Sequence, residues 1–151
     1  MTDSATLIDR LQNDLKTAMR EKAKPLLATL RLIMAAIKQV EVDERISVDD
    51  QRLLAILDKM AKQRLESIEQ YQQAKRDDLV AKEAFELDVI RSYLPEPLNE
   101  NELTSIINEA VSAVNANSMA DMGKVMAMIK PQIQGRADIA AVSQHVKQIL
   151  S

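Results

Sequence analysis

The residues of this sequence that could do chemistry are few, and they limit the reactions that it could support. The 151-residue chain has no cysteine, one histidine and no glycine-rich phosphate loop. His145 precedes Val146 on an amphipathic pattern, and Ser143 at i−2 cannot face it, so we interpret the histidine as packed or solvated. A lone histidine also argues against a zinc site, which needs several nitrogen or sulfur ligands. We therefore predict no catalytic residue, no metal site and no cofactor.

Glycine is the most informative residue type, because the chain has only two. Gly123 and Gly135 both lie within "DMGKVMAMIKPQIQGRADIA". Glycine inside a helix costs about 1 kcal/mol relative to alanine, so its use at Gly123 suggests that something approaches the backbone there. With about 100° of rotation per residue, Ala120, Gly123 and Ala127 fall on one side of a helix. We predict a small-residue strip at these three positions.

Cations border this small-residue strip. Lys124 and Lys130 lie on its two flanks, and Arg136 follows Gly135 in the next turn. Bare backbone edged by cations suits the close approach of a phosphate chain, because phosphate contacts need charge and reach but no base recognition. Gly123, Lys124, Lys130, Gly135 and Arg136 are therefore our candidate nucleic-acid-binding residues. The alternative is that the strip lets another helix of the same protein pack closely.

The elements that would position these residues are predicted to be helices throughout. Aromatic residues make up only 2% of the chain, so the core must come from aliphatic residues and methionine. Apolar residues recur at spacings of three and four, which indicates an all-α, multihelical fold. The first four helices are expected over about 4–22, 25–44, 48–76 and 78–94, with Ser47 capping the third, paired with Asp50 at N3, and Asp77 or Asp78 capping the fourth.

The segment "YLPEPL" is the clearest boundary in the sequence. Pro95 and Pro97 each lack a backbone donor and disfavour helical angles in the residue before them. We predict two all-helical subdomains, a four-helix N-terminal part over 1–94 and a three-helix C-terminal part over 98–151.

The three C-terminal helices also have start and stop signals. Asn99 with Glu102 and Ser118 with Asp121 are expected to open the first two, and Asp138 to cap the last. Pro131 is predicted to kink or stop the middle helix. Gly135 can supply the left-handed turn that follows it.

Charge and hydropathy exclude some partners. The formal net charge of −3 argues against a strong overall field that attracts nucleic acid, although local basic patches remain possible. No apolar run approaches the ~20 residues that a membrane span requires. The N-terminal residues include Asp3 and Asp9 and no run typical of a signal peptide. We therefore expect no membrane partner and a cytoplasmic location.

Two blocks of this sequence resemble the GatB/YqeY family. They are "QRLESIEQYQQAKRDDLVAKEAFELDVIRSYLPEPLNENEL" and "SMADMGKVMAMIKPQIQGRADIAAV", and the similarity extends over nearly the whole chain. Two departures stand out. Lys75 occupies a position where the family usually has glycine in an "AGR" triplet, which weakens the expectation of a tight turn there. Ala127 and Ile139 stand where glycines are frequent.

The resemblance implies an all-helical protein similar to the C-terminal tail of the B subunit of the tRNA-dependent amidotransferase. That subunit works in the conversion of Glu-tRNA(Gln) or Asp-tRNA(Asn) to the amide form, and its tail resembles a tRNA-contacting appendage. By similarity, the chain would be a non-catalytic accessory module that binds tRNA or a tRNA enzyme, so its expected partner is tRNA, an aminoacyl-tRNA synthetase or an amidotransferase.

Two other functions stay open at this point. One is a component of a glutamine-dependent tRNA amidotransferase, a carbon–nitrogen ligase with glutamine as amido-N donor. The kinase and glutaminase parts of that enzyme have no counterpart in this sequence, so partner chains would have to supply the chemistry. The other is a helical protein-interaction adaptor that uses the methionine-rich face of the C-terminal helices.

Overall fold

The computed structural model describes residues 6–151 and shows helices as the only regular secondary structure in that range. The all-α prediction is confirmed. A short 3-10 turn at Met119–Asp121 precedes the sixth helix. The helices are α1 (Leu7–Arg20), α2 (Lys24–Glu44), α3 (Asp50–Gln73), α4 (Asp77–Arg91), α5 (Glu100–Ala113), α6 (Met122–Ile133) and α7 (Ile139–Leu150). The expected start of the first helix near residue 4 lies outside the described residues, and Thr6 is the N-cap of α1.

The chain divides into two compact units between Leu94 and Pro95. In the first unit, α1 to α4 surround a core of aliphatic side chains that includes Leu11, Leu30, Ile33, Leu53, Leu57 and Ile90. The second unit has a separate core, built from α5 to α7, that includes Ile107, Val125, Ile129, Ile133, Val142 and Val146. Each unit thus has buried apolar side chains of its own. That the two units fold independently stays a prediction.

Several of the predicted helix boundaries are confirmed at the level of hydrogen bonds. The Asn99 side chain accepts from the Glu102 amide at 2.8 Å, and the Glu102 carboxylate accepts from the Asn99 amide at 3.4 Å, forming a capping box. The Asp138 side chain accepts from the Ala140 amide at 3.3 Å and caps α7. Gly135 has φ 76° and supplies the left-handed turn between α6 and α7.

The predicted cap of α3 is wrong. Asp49, not Ser47, is the N-cap, and its carboxylate accepts from the Arg52 amide at 2.8 Å. Val48 is buried, and its amide donates to the Glu41 carboxylate at 3.1 Å. The connection after α2 therefore uses Val48 as an anchor in the core, which delays the start of α3 beyond Ser47.

The start of α4 also differs from the prediction. Neither Asp77 nor Asp78 is the cap, because both lie within the first turn, where negative charge favours the helix dipole. Arg76 precedes the helix and donates two hydrogen bonds to the Asp78 carboxylate, at 3.1 and 3.0 Å. These bonds lower the pKa of Asp78. Lys75 has φ 57°, so the tight turn forms here although the residue is not glycine.

The region around α6 shows two further differences. Ser118 makes no side-chain capping bond and precedes the 3-10 turn, while the Asp121 carboxylate accepts from the Asn117 amide at 3.1 Å. Pro131 lies inside α6, which continues to Ile133, so the proline does not stop the helix at once. A proline this close to the helix end removes only one of the last backbone bonds.

Candidate functional site

An open groove with a volume of about 580 Å³ runs between α6 and α7. We call it the α6–α7 groove, and its lining residues are Gly123, Met126, Ala127, Lys130, Ile139, Ala140 and Ser143. Four of these seven residues are glycine, alanine or serine. The predicted small-residue strip is therefore part of a wider surface, to which both helices contribute. Ala120, the third predicted member of the strip, lies in the 3-10 turn before α6.

Gly123 is exposed, and the space beside it is empty. A Cβ atom built on Gly123 would meet no other atom within 4 Å, apart from its chain neighbours and the nearby backbone of its own helix. No other helix among the described residues therefore needs a glycine at this position in order to pack. At Gly123 itself, the internal-packing alternative finds no support in residues 6–151.

Two of the predicted cations have no ion-pair partner among residues 6–151. Lys124 and Lys130 are both exposed, and neither forms an ion pair with another described residue. Lys130 is one of the lining residues, whereas Lys124 is next to Gly123 in α6.

Lys147 is a further cation, which the sequence analysis missed. It follows Ala140 and Ser143 at helical spacing and therefore shares their side of α7. The short connection over 134–138 folds α7 back along α6, so the end of α7 and the beginning of α6 lie together. Lys147 is therefore placed near the end of the groove that holds Lys124.

Charge is unevenly distributed in the second unit. Neither α6 nor α7 contains a carboxylate, and their charged residues are Lys124, Lys130 and Lys147. Four of the six acidic residues of the unit lie earlier, at Glu96, Glu100, Glu102 and Glu109, and the other two, Asp121 and Asp138, lie immediately before α6 and α7. The net charge of the unit is thus a poor guide to the local potential at the α6–α7 groove.

Arg136 and Gly135 have local structural roles and do not line the groove. The Arg136 Nε donates to the Glu96 carbonyl at 2.9 Å, and a terminal nitrogen lies 3.9 Å from the Glu102 carboxylate. The Arg136 carbonyl in turn accepts from the Leu98 amide at 2.9 Å. Arg136 therefore holds the start of the second unit against the turn after α6. Its predicted contact with nucleic acid stays a prediction.

Sequence reasoning identified the α6 side of the groove but missed the α7 side. Ile139, Ala140 and Ser143 supply that wall, and their spacing was visible in the sequence. A helical sequence pattern does not show which helix lies opposite Gly123, because tertiary packing determines that arrangement.

The residues that could do catalytic or metal chemistry are not gathered at this groove. His145 is half-buried on α7, beside the buried Val146. No group of three or more histidine, cysteine, aspartate or glutamate side chains in residues 6–151 is placed to hold a metal ion. None of the helices in that range combines the length and apolar composition that a membrane span requires.

A polar network in the first unit joins α1 to the end of α4. Tyr93 is buried and donates its hydroxyl hydrogen bond to the Asp14 carboxylate at 2.5 Å. The Arg10 guanidinium lies 4.6 Å from the centre of the Tyr93 ring and donates to the Ser92 carbonyl at 3.0 Å. Burial, helped by the Asp14 hydrogen bond, raises the pKa of Tyr93 above its ordinary range. This network links α1 to the segment that follows α4.

A second structural pair joins α3 to α4. The Arg64 Nε lies 3.2 Å from the Glu86 carboxylate and 3.9 Å from that of Glu83. The side chains of Arg64 and Glu86 are only 15% and 9% exposed, so the charges compensate each other in a largely dry environment.

Fold and surface together define a class: an all-helical protein of two compact units, with a small-residue groove between lysines on its C-terminal unit. A family model described as "Yqey-like protein" matches residues 8–150. The chain belongs to this family, and the resemblance inferred from the sequence blocks is confirmed.

Individual relatives agree with this assignment. The protein "Altered inheritance of mitochondria protein 41, mitochondrial" of Pyrenophora tritici-repentis is 34% identical over 152 residues, which cover 99% of this chain and 83% of the relative. The protein of the same name from Clavispora lusitaniae is 37% identical over 74% of this chain and 68% of its own length. That of Saccharomyces cerevisiae is 36% identical over 64% of this chain and 52% of its own length.

These names correct one prediction. The expected cytoplasmic location is wrong, because the relatives are named as mitochondrial proteins and point to mitochondria instead. Cysteine content and hydropathy do not distinguish one aqueous, reducing compartment from another, so they could not support that choice.

Proposed function

We propose that this chain is a non-catalytic, tRNA-binding accessory module that contacts the tRNA backbone through the α6–α7 groove. One observation carries the proposal. Gly123 is exposed beside empty space, between lysines whose charges are not compensated by any described carboxylate. An exposed glycine lowers the stability of a helix by about 1 kcal/mol relative to alanine. Among the described residues, no packing contact at Gly123 offsets this cost. An external partner that comes close to the backbone would explain the residue.

The chemistry of the groove fits a phosphate chain. Glycine, alanine and serine have small side chains, so a sugar–phosphate backbone can come close to the helices. The lysines at both ends are flexible cations that can reach the phosphate oxygens. The groove offers no array of rigid polar side chains for reading base edges. Recognition of a particular tRNA would then come from shape or from a partner, such as a synthetase or amidotransferase that holds the same tRNA.

A protein-interaction adaptor is the competing function that has some structural support. Met126 lines the groove, and Met119, in the 3-10 turn before α6, is 43% exposed. Flexible thioether side chains suit surfaces that bind other helices. We favour RNA because the charged residues of α6 and α7 are all cations, whereas an adaptor groove has no need of that bias.

The amidotransferase alternative requires partner chains. Purified alone, the chain is expected to show no glutamine-dependent amidation of misacylated tRNA, since its chemistry-bearing residues are not gathered into a site.

The experiment that tests the proposal is ultraviolet crosslinking in cells that contain this protein, followed by sequencing of the bound RNA and mapping of the crosslinked peptides. We expect tRNA to be enriched over other abundant RNAs and the crosslinks to fall in α6 and α7. Capture of a protein partner in nuclease-treated extract, with no crosslinked RNA, would contradict the proposal and favour the adaptor. Crosslinks to tRNA confined to the first unit would contradict the assignment of the groove.

A further inference from the structure

A row of cations runs along the exposed side of α2. Lys24, Arg31 and Lys38 are seven residues apart, which is close to two helical turns, so they share one side of the helix at intervals of about 10.5 Å. All three side chains are exposed. The opposite side of α2 is buried in the core of the first unit through Thr29, Leu30, Ile33 and Ile37.

Within the part of the chain that the structure describes, the charges of this row are not paired. None of its three members forms an ion pair with a described residue. The stretch from Lys22 to Val40 contains four cations and no carboxylate, although the whole chain has a net charge of −3. Some exposed cations of the same unit do have a partner, such as Lys62 of α3, which lies 3.5 Å from Asp58. What distinguishes the α2 row is that no carboxylate interrupts the sequence between Lys22 and Val40.

Small side chains separate the cations. Ala28 lies between Lys24 and Arg31, Ala35 lies between Arg31 and Lys38, and both alanines are exposed. The result is a low, positively charged ridge that an extended polyanion could follow. A membrane-surface helix would instead need its large apolar side chains on the outside. On α2 only Leu32 and Val42 are exposed, and the other large apolar side chains belong to the core or pack against it.

We propose that the Lys24–Arg31–Lys38 row is a second contact surface for the RNA phosphate backbone. This inference rests on the proposed function, since it assumes that the chain binds tRNA, and it assigns a role to the first unit. Cations spaced regularly along one side of a helix suit a regular series of phosphates. Each bound phosphate would release counterions and steepen the salt dependence of binding.

The test compares tRNA binding by the full chain and by charge-neutralised variants over a series of salt concentrations. The triple variant Lys24→Gln, Arg31→Gln, Lys38→Gln should bind more weakly than wild type. Its log K against log salt slope should flatten by about 0.7–0.9 for each phosphate that is no longer neutralised. The matched control is Lys59→Gln, Lys82→Gln, Arg91→Gln, which removes three exposed cations from α3 and α4 and leaves the same net charge. The control should change binding much less.

The outcomes separate this inference from the proposed function. If neutralising Lys124, Lys130 and Lys147 weakens binding while the α2 variant behaves like its control, the inference is overturned and the proposed function stands. If only the α2 variant weakens binding, the inference stands and the groove assignment fails. Failure of the wild-type chain to bind tRNA overturns both.

A further experiment measures binding to anionic membranes. Wild type and the α2 variant are mixed with vesicles of phosphatidylcholine containing phosphatidylserine. Loss of vesicle binding in the α2 variant, with tRNA binding unchanged, would overturn the inference. Circular dichroism of each variant establishes that the helices are retained.

Discussion

Gly123 costs α6 stability without relieving any contact among the described residues. Gly123→Ala should therefore raise the free energy of unfolding by about 1 kcal/mol, because the new methyl group meets open space and alanine favours the helix. Gly123→Leu should keep at least wild-type stability but fill the α6–α7 groove and weaken tRNA binding more than alanine does. Thermal unfolding and tRNA titration of both variants check these two effects.

The same pair of variants can refute this account of Gly123. If the strip packs against another part of the protein, leucine should overpack it and lower the unfolding free energy by about 1–3 kcal/mol. If Gly123→Leu leaves tRNA affinity at the wild-type value, the groove does not receive the phosphate backbone.

The raised pKa of Tyr93 leads us to expect a loss of stability in alkaline solution. Its pKa in the folded chain is raised, while an unfolded tyrosine ionises near pH 10. Below that pH the hydroxyl is protonated in both states and its full contribution to stability is present. As pH rises above about 10, ionisation of the unfolded state draws the equilibrium toward unfolding. Urea unfolding at increasing pH should show this decline.

Tyr93→Phe isolates that effect. The variant loses the hydrogen bond to Asp14 and should be less stable at neutral pH, but its stability should fall less between neutral pH and about pH 11, where the tyrosine of the unfolded wild-type chain is ionised. An equal alkaline decline in Tyr93→Phe would show that other groups cause it.

The contribution of an ion pair to the free energy of unfolding depends on how deeply the pair is buried. Glu86→Ala should lower the free energy of unfolding by about 3 kcal/mol, because the nearest carboxylate left to the largely buried Arg64 guanidinium among the described residues is the more distant Glu83. Asp78→Ala removes the partner of Arg76 at the start of α4, where both side chains are more than half exposed, and should matter much less. Chemical denaturation of the two variants tests the difference, and similar losses would contradict it.

Helix boundaries show how far local sequence determines these elements. The Asn99–Glu102 capping box, the Asp138 cap and the Gly135 turn were predicted, because each depends on residues within a few positions of one another. The start of α3 was not predicted, because burial of Val48 in a core built from distant residues delays the helix. Local hydrogen bonds are readable from sequence, whereas anchoring to a core is not.

The candidate site follows the same division. Helical spacing alone placed Gly123, Ala127, Lys124 and Lys130 on one part of α6. The α7 wall and Lys147 could not be assigned to the same groove, because the pairing of α6 with α7 is tertiary. Arg136 was predicted as a cation of the site, yet its guanidinium holds the segment near Glu96.

At the scale of the whole molecule, the separate cores predict that the two units fold alone. Fragments 1–94 and 95–151 should each show helical circular dichroism and a cooperative thermal transition, since each retains its own buried aliphatic residues. The division is placed before Pro95 because Glu96 and Leu98 are bonded to Arg136 in the second unit. A fragment without a cooperative transition would mean that its unit depends on the other.

The most direct test of the central claim is the salt dependence of tRNA binding by wild type and by Lys124→Gln, Lys130→Gln, Lys147→Gln. Arg136 is left in place because its bonds to Glu96 and Glu102 support the fold. If these lysines bind phosphates, affinity should fall and the slope of log K against log salt should flatten by about 0.7–0.9 for each lysine–phosphate pair removed, while circular dichroism and thermal unfolding stay as in wild type. Unchanged affinity and unchanged slope in a folded triple variant would contradict the claim that the α6–α7 groove binds tRNA.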